Sequence, residues 1–410
     1  MSGLALASRS AGAPSGDDLA RWRAADDIAR PARLARLRDR LDREAVDAYL
    51  GVSRENTRYL TGFALAEGEE KVAGDSGRFL VSGDDVVVLA DTRYLEQAGE
   101  ECPGARVEES YYDLPERWPG ILARLRGRDG GPVRRVAVEA NLVSQALWTR
   151  LQAAAPQAEL VAADGWVEEL RAVKEPAELE RVAAACAVAD AALERLLPAI
   201  HPGVPERDLA LQLEWEMRTS GAEALAFDVT CLSGPRAALP HGSPGERRVT
   251  VGQVLLFDFG AQVAGYRSDM TRTLFVGAPA ARDLELYRLV ALAQEAAFDA
   301  LERAAHAHTA PTGVEIDAAA REVIAAAGHG EHFGHGLGHG IGLATHEVPS
   351  LSRRAAPAPL PWPTVFSIEP GIYLPGQTGI RIEDLVTFDA GTGSVERLTA
   401  FPREVTVVGA

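Results

Sequence analysis

Along the first half of the chain the apolar positions switch repeatedly between the 3.6-residue period of a helix and the short alternating or continuous runs of a strand. PARLARLRDRLDREAVDAYLG predicts a helix feeding a strand, and GRFLVSGDDVVVLAD predicts a hairpin turned at Gly83 and Asp84. RRVAVEA, NLVSQALWTRLQAAAP and AELVAAD read in turn as strand, helix and strand. These units predict a small α/β domain over residues 31–170, behind a flexible leader over residues 1–30. The pattern then changes. Glu175-Pro176 is a helix start, and Leu179, Val182, Cys186, Ala189, Leu193 and Leu196 recur at helical spacing behind it, which puts a domain boundary near Arg171. Two further helices, over residues 281–308 and 314–327, separate strand-rich blocks. The prediction for residues 171–410 is an α+β domain with helices on one face of a curved antiparallel sheet.

Within those strand blocks, acidic residues stand where apolar ones are expected. VLLFDFGA and YRSDMTRTLFV form a hairpin around AQVAGY. A turn centred between Val263 and Ala264 makes Asp258 and Asp269 direct cross-strand partners, with Cβ atoms about 5 Å apart. Downstream, FSIEPGIYLPGQTGIRIEDLV turns at Gly376, and Glu369 and Glu383 lie at equal distances on either side. A single Asp or Glu is ordinarily a solvated surface group. Two mirrored acid pairs inside apolar strands are different: they cannot all ionise in a dry site without cations, whereas two divalent ions about 3.5–4 Å apart would neutralise them.

The stretch GEHFGHGLGHGIGLATHEVP adds imidazoles. Glycines at 334, 336, 338, 340 and 342 disfavour a helix, and an extended chain puts His335, Leu337, His339 and Ile341 on one face. His335 and His339 would then be about 13 Å apart, too far to share one metal, so one ligates and the other meets substrate. The glycine run has neither phosphate-loop spacing, and His346-Glu347 fails the HExxH pattern because position 350 is serine. The candidate set is Asp258, Asp269, Glu369, Glu383 and one imidazole, taken as His339. An oxygen-rich set with one nitrogen and no thiolate favours manganese or a similar catalytic divalent ion over structural zinc, with cobalt or zinc as alternatives.

Composition removes other classes of function. The 42 basic against 59 acidic residues give a net charge of −17, which argues against nucleic acid or an anionic membrane surface as partner. No run approaches a membrane span, and the first residues hold no secretory apolar core. Cys102, Cys186 and Cys231 are too far apart for a CxxC site and odd in number, which suits a reducing cytoplasm.

The motifs DFGAQVAGYRSDMTRT, GHGLGHGIGLATHE, IEPGIY and GIRIED, with SGPRAALPHG upstream, resemble in order and spacing the pita-bread metallopeptidases, the M24 family of Xaa-Pro aminopeptidase, prolidase and methionine aminopeptidase. ARLARLRDRLDREAVDAYLG and ENTRYLTGF resemble the amino-terminal domain of its Xaa-Pro and creatinase branches. The resemblance implies that Asp269 and Glu383 bridge two metals, that Asp258 completes one site, and that His339 and Glu369 complete the other. It also implies catalytic or substrate-handling roles for His241, His335 and His346, with Arg381 beside them, and a homodimer or larger homo-oligomer. Prolines in PLPWPTVFSIEPG depart from the family pattern before the IEPG strand.

The expected reaction is metal-assisted hydrolysis of the bond before proline, with Glu369 shuttling the proton and His335 and His346 steadying the oxyanion. RYLTGF and GRFLVSGDDVVVLADTRYLEQA look more like the aminopeptidase branch, so Xaa-Pro aminopeptidase is the first expectation and Xaa-Pro dipeptidase the alternative. Arg353 and Arg354 are the candidate clamp for a dipeptide carboxylate, and a solvated role is favoured for them. A creatinase-like C–N hydrolase and a non-catalytic binding module are the remote alternatives.

Overall fold

The computed structural model describes residues 13–66, 69 and 72–409, which divide into two compact units, one from Ala20 to Arg171 and the other from Ala172 onward together with residues 13–19. Helix α1 (Gly16–Arg43) occupies much of the stretch expected as a loose leader; residues 1–12 of that stretch lie outside the described residues. Its Leu34, Leu37 and Leu41 are buried at helical spacing, and this apolar stripe, extended upstream by Trp22, orders the segment.

The first unit is a six-stranded mixed sheet in the order β4-β3-β2-β1-β5-β6. Its strands are β1 (Ala48–Gly51), β2 (Phe79–Ser82), β3 (Val86–Ala90), β4 (Arg106–Glu109), β5 (Arg135–Glu139) and β6 (Glu159–Ala163), with helices α2 (Arg54–Thr61), α3 (Leu95–Glu101), α4 (Leu114–Arg124), α5 (Gln145–Ala154) and α6 (Trp166–Ala172) between and after them. The β2–β3 hairpin pairs Val81 with Val86, so its turn is the one expected at Gly83 and Asp84. Trp118 and Ile121 of α4 and Leu151 of α5 close a core over Leu50, Leu80, Val87, Val136 and Val138.

In the second unit, Pro176 follows the N-cap Glu175 and a capping box with Glu178 starts α7 (Pro176–Leu196), whose six predicted apolar positions are all buried. After α8 (Glu206–Thr219) come the short strands β7 (Ala224–Leu225) and β8 (Thr230–Ser233), then β9 (Val254–Phe259), β10 (Ala261–Val263), β11 (Tyr266–Arg267) and β12 (Met270–Val276). Helices α9 (Ala281–His306) and α10 (Gly313–Ala326) precede β13 (Gly338–Gly340), β14 (Glu347–Leu351), β15 (Thr364–Ile368), β16 (Gly371–Leu374), β17 (Thr378–Arg381), β18 (Asp384–Asp389), β19 (Ser394–Arg397) and β20 (Val407–Val408). The sheets run β20-β12-β9-β8 and β14-β13-β15-β18-β19, with the β16–β17 hairpin and the β11-β10-β7 ribbon beside them. Val290, Ala297 and Leu301 of α9 and Ile316, Ala320 and Ile324 of α10 share one core with Leu256, Phe275, Phe366, Ile368, Ile380 and Val386. Burying that many aliphatic and aromatic side chains, at about 1.5–3 kcal/mol each, is what fixes helices and strands together beneath the site. Among the described residues no helix is long and apolar enough to cross a membrane.

Candidate metal centre

The first acidic hairpin has a two-residue turn at Ala264-Gly265, both with positive φ (+47° and +85°), between the pairs Gln262–Arg267 and Val263–Tyr266. Two consecutive positive φ values suit the right-handed twist of a tight hairpin. The turn therefore sits one residue later than expected, and the ladder moves with it. Asp258 faces Thr271, not Asp269, whose own level falls two residues further along. Because side chains alternate with a period of two, this shift leaves both aspartates on the same face.

The second hairpin keeps the expected register. Ile368 pairs with Asp384 and Gly371 with Arg381, so Glu369 and Glu383 stand at equivalent levels between the two ladders. There the strands stop bonding to each other: the Glu369 N–H donates to Leu337 O at 2.8 Å and the Glu383 N–H to Thr271 O at 3.1 Å. The second of these bonds carries Glu383 to the Asp258–Asp269 hairpin. Residues that carry no signal in the sequence hold the backbone there. Gln294 Nε2 on α9 donates to Ile368 O at 3.1 Å and Ile382 O at 3.3 Å, and Arg272 Nη1 donates to Glu383 O at 2.6 Å. All three contacts span 74 residues or more, so no local pattern signals them.

The expected extended run from His335 to Ile341 is a strand only over Gly338–Gly340. A side chain at Gly338 would place its Cβ 1.9 Å from Ser367 O, so glycine is what allows β13 to lie against β15. The His339 N–H donates to Ser367 Oγ at 3.1 Å, and that hydroxyl donates to Glu369 Oε1 at 3.2 Å. Before the strand, Asp317 Oδ1 accepts the Leu337 N–H at 3.0 Å and Arg321 Nη2 donates to His335 O at 2.7 Å, which pins the irregular segment to α10.

Asp269, His339 and Glu383 present ligand atoms all within 4.8 Å of one another. His339 Nε2 lies 3.6 Å from Asp269 Oδ2 and 3.5 Å from Glu369 Oε1. Asp258 lines the same pocket and is paired with Arg381, whose Nη2 donates to Asp258 Oδ2 at 2.5 Å. Burial, reinforced by the neighbouring carboxylates, pushes the Asp269 and Glu383 carboxyls well above their ordinary range, and burial raises Glu369 as well. Burial also lowers His339, favouring its neutral form.

These residues fit divalent cations on three observations. Asp269 Oδ1 is buried without a hydrogen-bond partner. His339 Nδ1 donates to Gly340 O at 3.0 Å, so in the neutral ring Nε2 carries the lone pair that faces the carboxylates. Of the four acids, Arg381 is paired directly with Asp258 alone, so one guanidinium bond serves a set of four carboxyl groups.

All nine candidate residues line one pocket of about 850 Å³, with Leu211, Phe227 and Val229 along an apolar wall. They do not stand in it alike. His241 and His346 are exposed, and the His346 ring lies 4.3 Å from that of His339. His335 is committed: Nδ1 donates to Gly336 O at 2.8 Å, and Nε2 lies 2.9 Å from the Tyr373 hydroxyl. Burial lowers its pKa, so the ring is neutral and accepts the Tyr373 O–H, leaving no free N–H for a substrate oxyanion. Arg381, expected to meet substrate, is also occupied: Nη1 donates to Tyr373 Oη at 2.8 Å and Nε to Thr271 Oγ1 at 2.8 Å, besides its pairing with Asp258. Tyr373, pushed up to about 12 chiefly by burial, thus links Arg381 to His335. Arg353 and Arg354 are exposed outside the pocket lining, in keeping with the solvated reading.

A buried oxygen-rich centre opening into such a pocket, on a sheet backed by helices, defines a metallohydrolase-type site. Residues 180–390 match the model of metallopeptidase family M24, and residues 33–173 match the Creatinase/Prolidase N-terminal domain. Similar solved structures include an Xaa-Pro dipeptidase from Bacillus anthracis, 32% identical with a TM-score of 0.81, and an X-Pro aminopeptidase from Thermotoga maritima, 34% identical with a TM-score of 0.78; in both cases 92% of this chain and 99% of the other are covered. The Xaa-Pro dipeptidase of Pyrococcus horikoshii is 32% identical over 89% of this chain and 96% of its own. The chain belongs to metallopeptidase family M24, in its pita-bread fold with a creatinase-type N-terminal domain.

Proposed function

We propose that this protein is an Xaa-Pro dipeptidase that holds two divalent ions, manganese foremost, on Asp258, Asp269, His339, Glu369 and Glu383. The observation that supports the dipeptidase reading, the alternative to the aminopeptidase expected first, is the near full-length similarity to proteins named Xaa-Pro dipeptidase. Bound there, the ions would supply an acidified water and polarise the scissile carbonyl. The rest is the work of the chain's own groups. Glu369, whose Oε1 accepts the Ser367 hydroxyl, carries the transferred proton on its other oxygen and returns it to the proline nitrogen as the bond breaks. That nitrogen belongs to a tertiary amide without an N–H, so recognition falls to the carbonyl and to the shape of the ring. His241 and His346, exposed at the pocket, orient the substrate, while Tyr373 and Arg381 fix His335 and Asp258.

The pocket volume supports a second reading, since about 850 Å³ has room beyond a dipeptide. Turnover of Xaa-Pro dipeptides and Xaa-Pro-Xaa tripeptides, measured alongside metal content, separates the two. Cleavage of dipeptides with tripeptides left intact is the expected result. Cleavage of tripeptides with dipeptides left intact would return the aminopeptidase reading, and full activity after chelation would return the creatinase-like one.

A further inference from the structure

The dipeptide His346-Glu347 fails the HExxH pattern, and Glu347 does not line the pocket. Its side chain is instead buried against Lys174: Nζ lies 3.2 Å from Oε2, and the two side chains are 1% and 2% exposed. The other oxygen, Oε1, accepts the Ala344 N–H at 2.8 Å, and the Gly342 N–H donates to Ala344 O at 3.1 Å. Glu347 therefore closes the loop 341–347 on itself while Lys174 holds it from outside. The backbone of Lys174 is fixed as well, since its N–H donates to Pro363 O at 2.8 Å, immediately before the strand that leads to Glu369. One residue thus ties the loop carrying His346 to the strand that leads to Glu369. From the opposite side, the Arg267 N–H donates to Gly342 O at 2.9 Å and Nη1 to Thr345 Oγ1 at 2.9 Å.

An acid buried beside a metal centre has two obvious uses, as a ligand or as a proton carrier. Glu347 is built for neither, because its two oxygens are turned to Lys174 and to the Ala344 N–H. A buried ion pair is weak evidence for stability, since desolvation offsets most of the attraction, but it does impose one geometry on what it joins. What this pair joins is a short loop whose exposed product is the His346 ring, 4.3 Å from the His339 ring.

We infer that Lys174 and Glu347 are a positioning pair for the reaction: their buried bridge sets the loop 341–347 so that His346 meets the substrate beside the metal centre. The inference rests on the reading of His346 as a substrate-handling group. Neither member touches substrate or metal.

The test is a mutant cycle on the metal-loaded enzyme, with an Xaa-Pro dipeptide that it cleaves. Lys174→Met together with Glu347→Gln removes both charges while keeping the stem and an acceptor for the Ala344 N–H. In the otherwise native enzyme this double change should lower kcat/KM by about 10- to 100-fold, the scale of a misplaced substrate group, with metal content unchanged. In a His346→Ala background the same change should cost no more than about twofold, because the group it positions is already gone. Equal losses in both backgrounds, or loss of metal, would overturn the inference. Native kinetics in His346→Ala alone would overturn the reading beneath it, which keeps the two failures distinct. If the double change does not fold, Glu347→Gln alone carries the same cycle. Failure of both to fold would also overturn the inference, since the pair would then be a folding element.

Discussion

Asp269 is a buried carboxylate with Glu383, Asp258 and Glu369 around it and one oxygen without a hydrogen-bond partner, so in the metal-free protein its charge is opposed by burial and by its neighbours together. Asp269→Asn is nearly isosteric and removes that charge. The metal-free variant should unfold at or above the temperature of the metal-free parent, bind less metal, and lose turnover. Native metal content and activity in this variant would take Asp269 out of the ligand set. Tyr373→Phe tests a different kind of residue. It deletes the hydroxyl between Arg381 Nη1 and His335 Nε2, leaving buried polar groups unpaired at about 1–3 kcal/mol, and should lower kcat/KM about tenfold with metal retained. Unchanged kinetics would show that the hydroxyl matters for stability alone. The candidate ligands were visible in the sequence because carboxylates are conspicuous inside apolar strands. Tyr373, Gln294 and Arg272 were not, because a Tyr, Gln or Arg beside apolar residues is ordinary until the fold brings a carbonyl, guanidinium or imidazole to it.

At the level of elements, the hairpins show what periodicity can and cannot resolve. The Glu369–Glu383 register was legible because Gly376 is the centre of its turn, with a φ of +71°. The Asp258–Asp269 register was misplaced because an alanine takes one of the positive-φ positions, and nothing in AQVAGY marks Ala264 for that conformation. The face survived the error, since the ladder slipped by two residues rather than one. The extended segment expected around His335 shortens to Gly338–Gly340 for a related reason: alternating glycines fit a strand, yet here they also serve close contacts with neighbouring backbone, at Gly338 and Gly340 among others. Ala264 gives a direct check. An L-residue with a Cβ is strained at a φ of +47°, and asparagine tolerates that region better. Ala264→Asn, which makes an Asn-Gly turn, should stabilise the protein by about 0.5–1 kcal/mol without changing kcat/KM, because Ala264 is not in the pocket lining. A lower melting temperature would show that Ala264 packs in a way the turn alone does not explain.

For the molecule as a whole, the acids of the centre couple folding, protons and metal. Asp269, Glu369 and Glu383 have folded-state pKa values raised above those of the unfolded chain, by burial first, with neighbouring carboxylates adding to the rise of Asp269 and Glu383. A carboxyl raised in this way contributes stability that is fully present below its unfolded pKa, near 4, and is lost as pH rises through the folded value. Buried Cys102, raised to about 11, and Cys231, raised well above its ordinary value, act in the same direction at higher pH. The melting temperature of the metal-free protein should therefore carry a loss from these acids that sets in as pH rises above the unfolded carboxyl range near 4. Divalent ions act oppositely, because they bind the deprotonated carboxylates and neutral His339, and protons compete with them. Binding to the folded state alone adds stability by mass action, so the added increment must grow as the competing protons leave. The rise in melting temperature on adding manganese to chelator-treated protein should thus be larger at pH 8 than at pH 6. The comparison needs one protein and two buffers, and it does not depend on which peptide is cleaved. An increment that is equal at both values, or smaller at pH 8, would mean that the raised acids are not the ones that hold the ions, and the ligand set would have to be drawn elsewhere in the pocket.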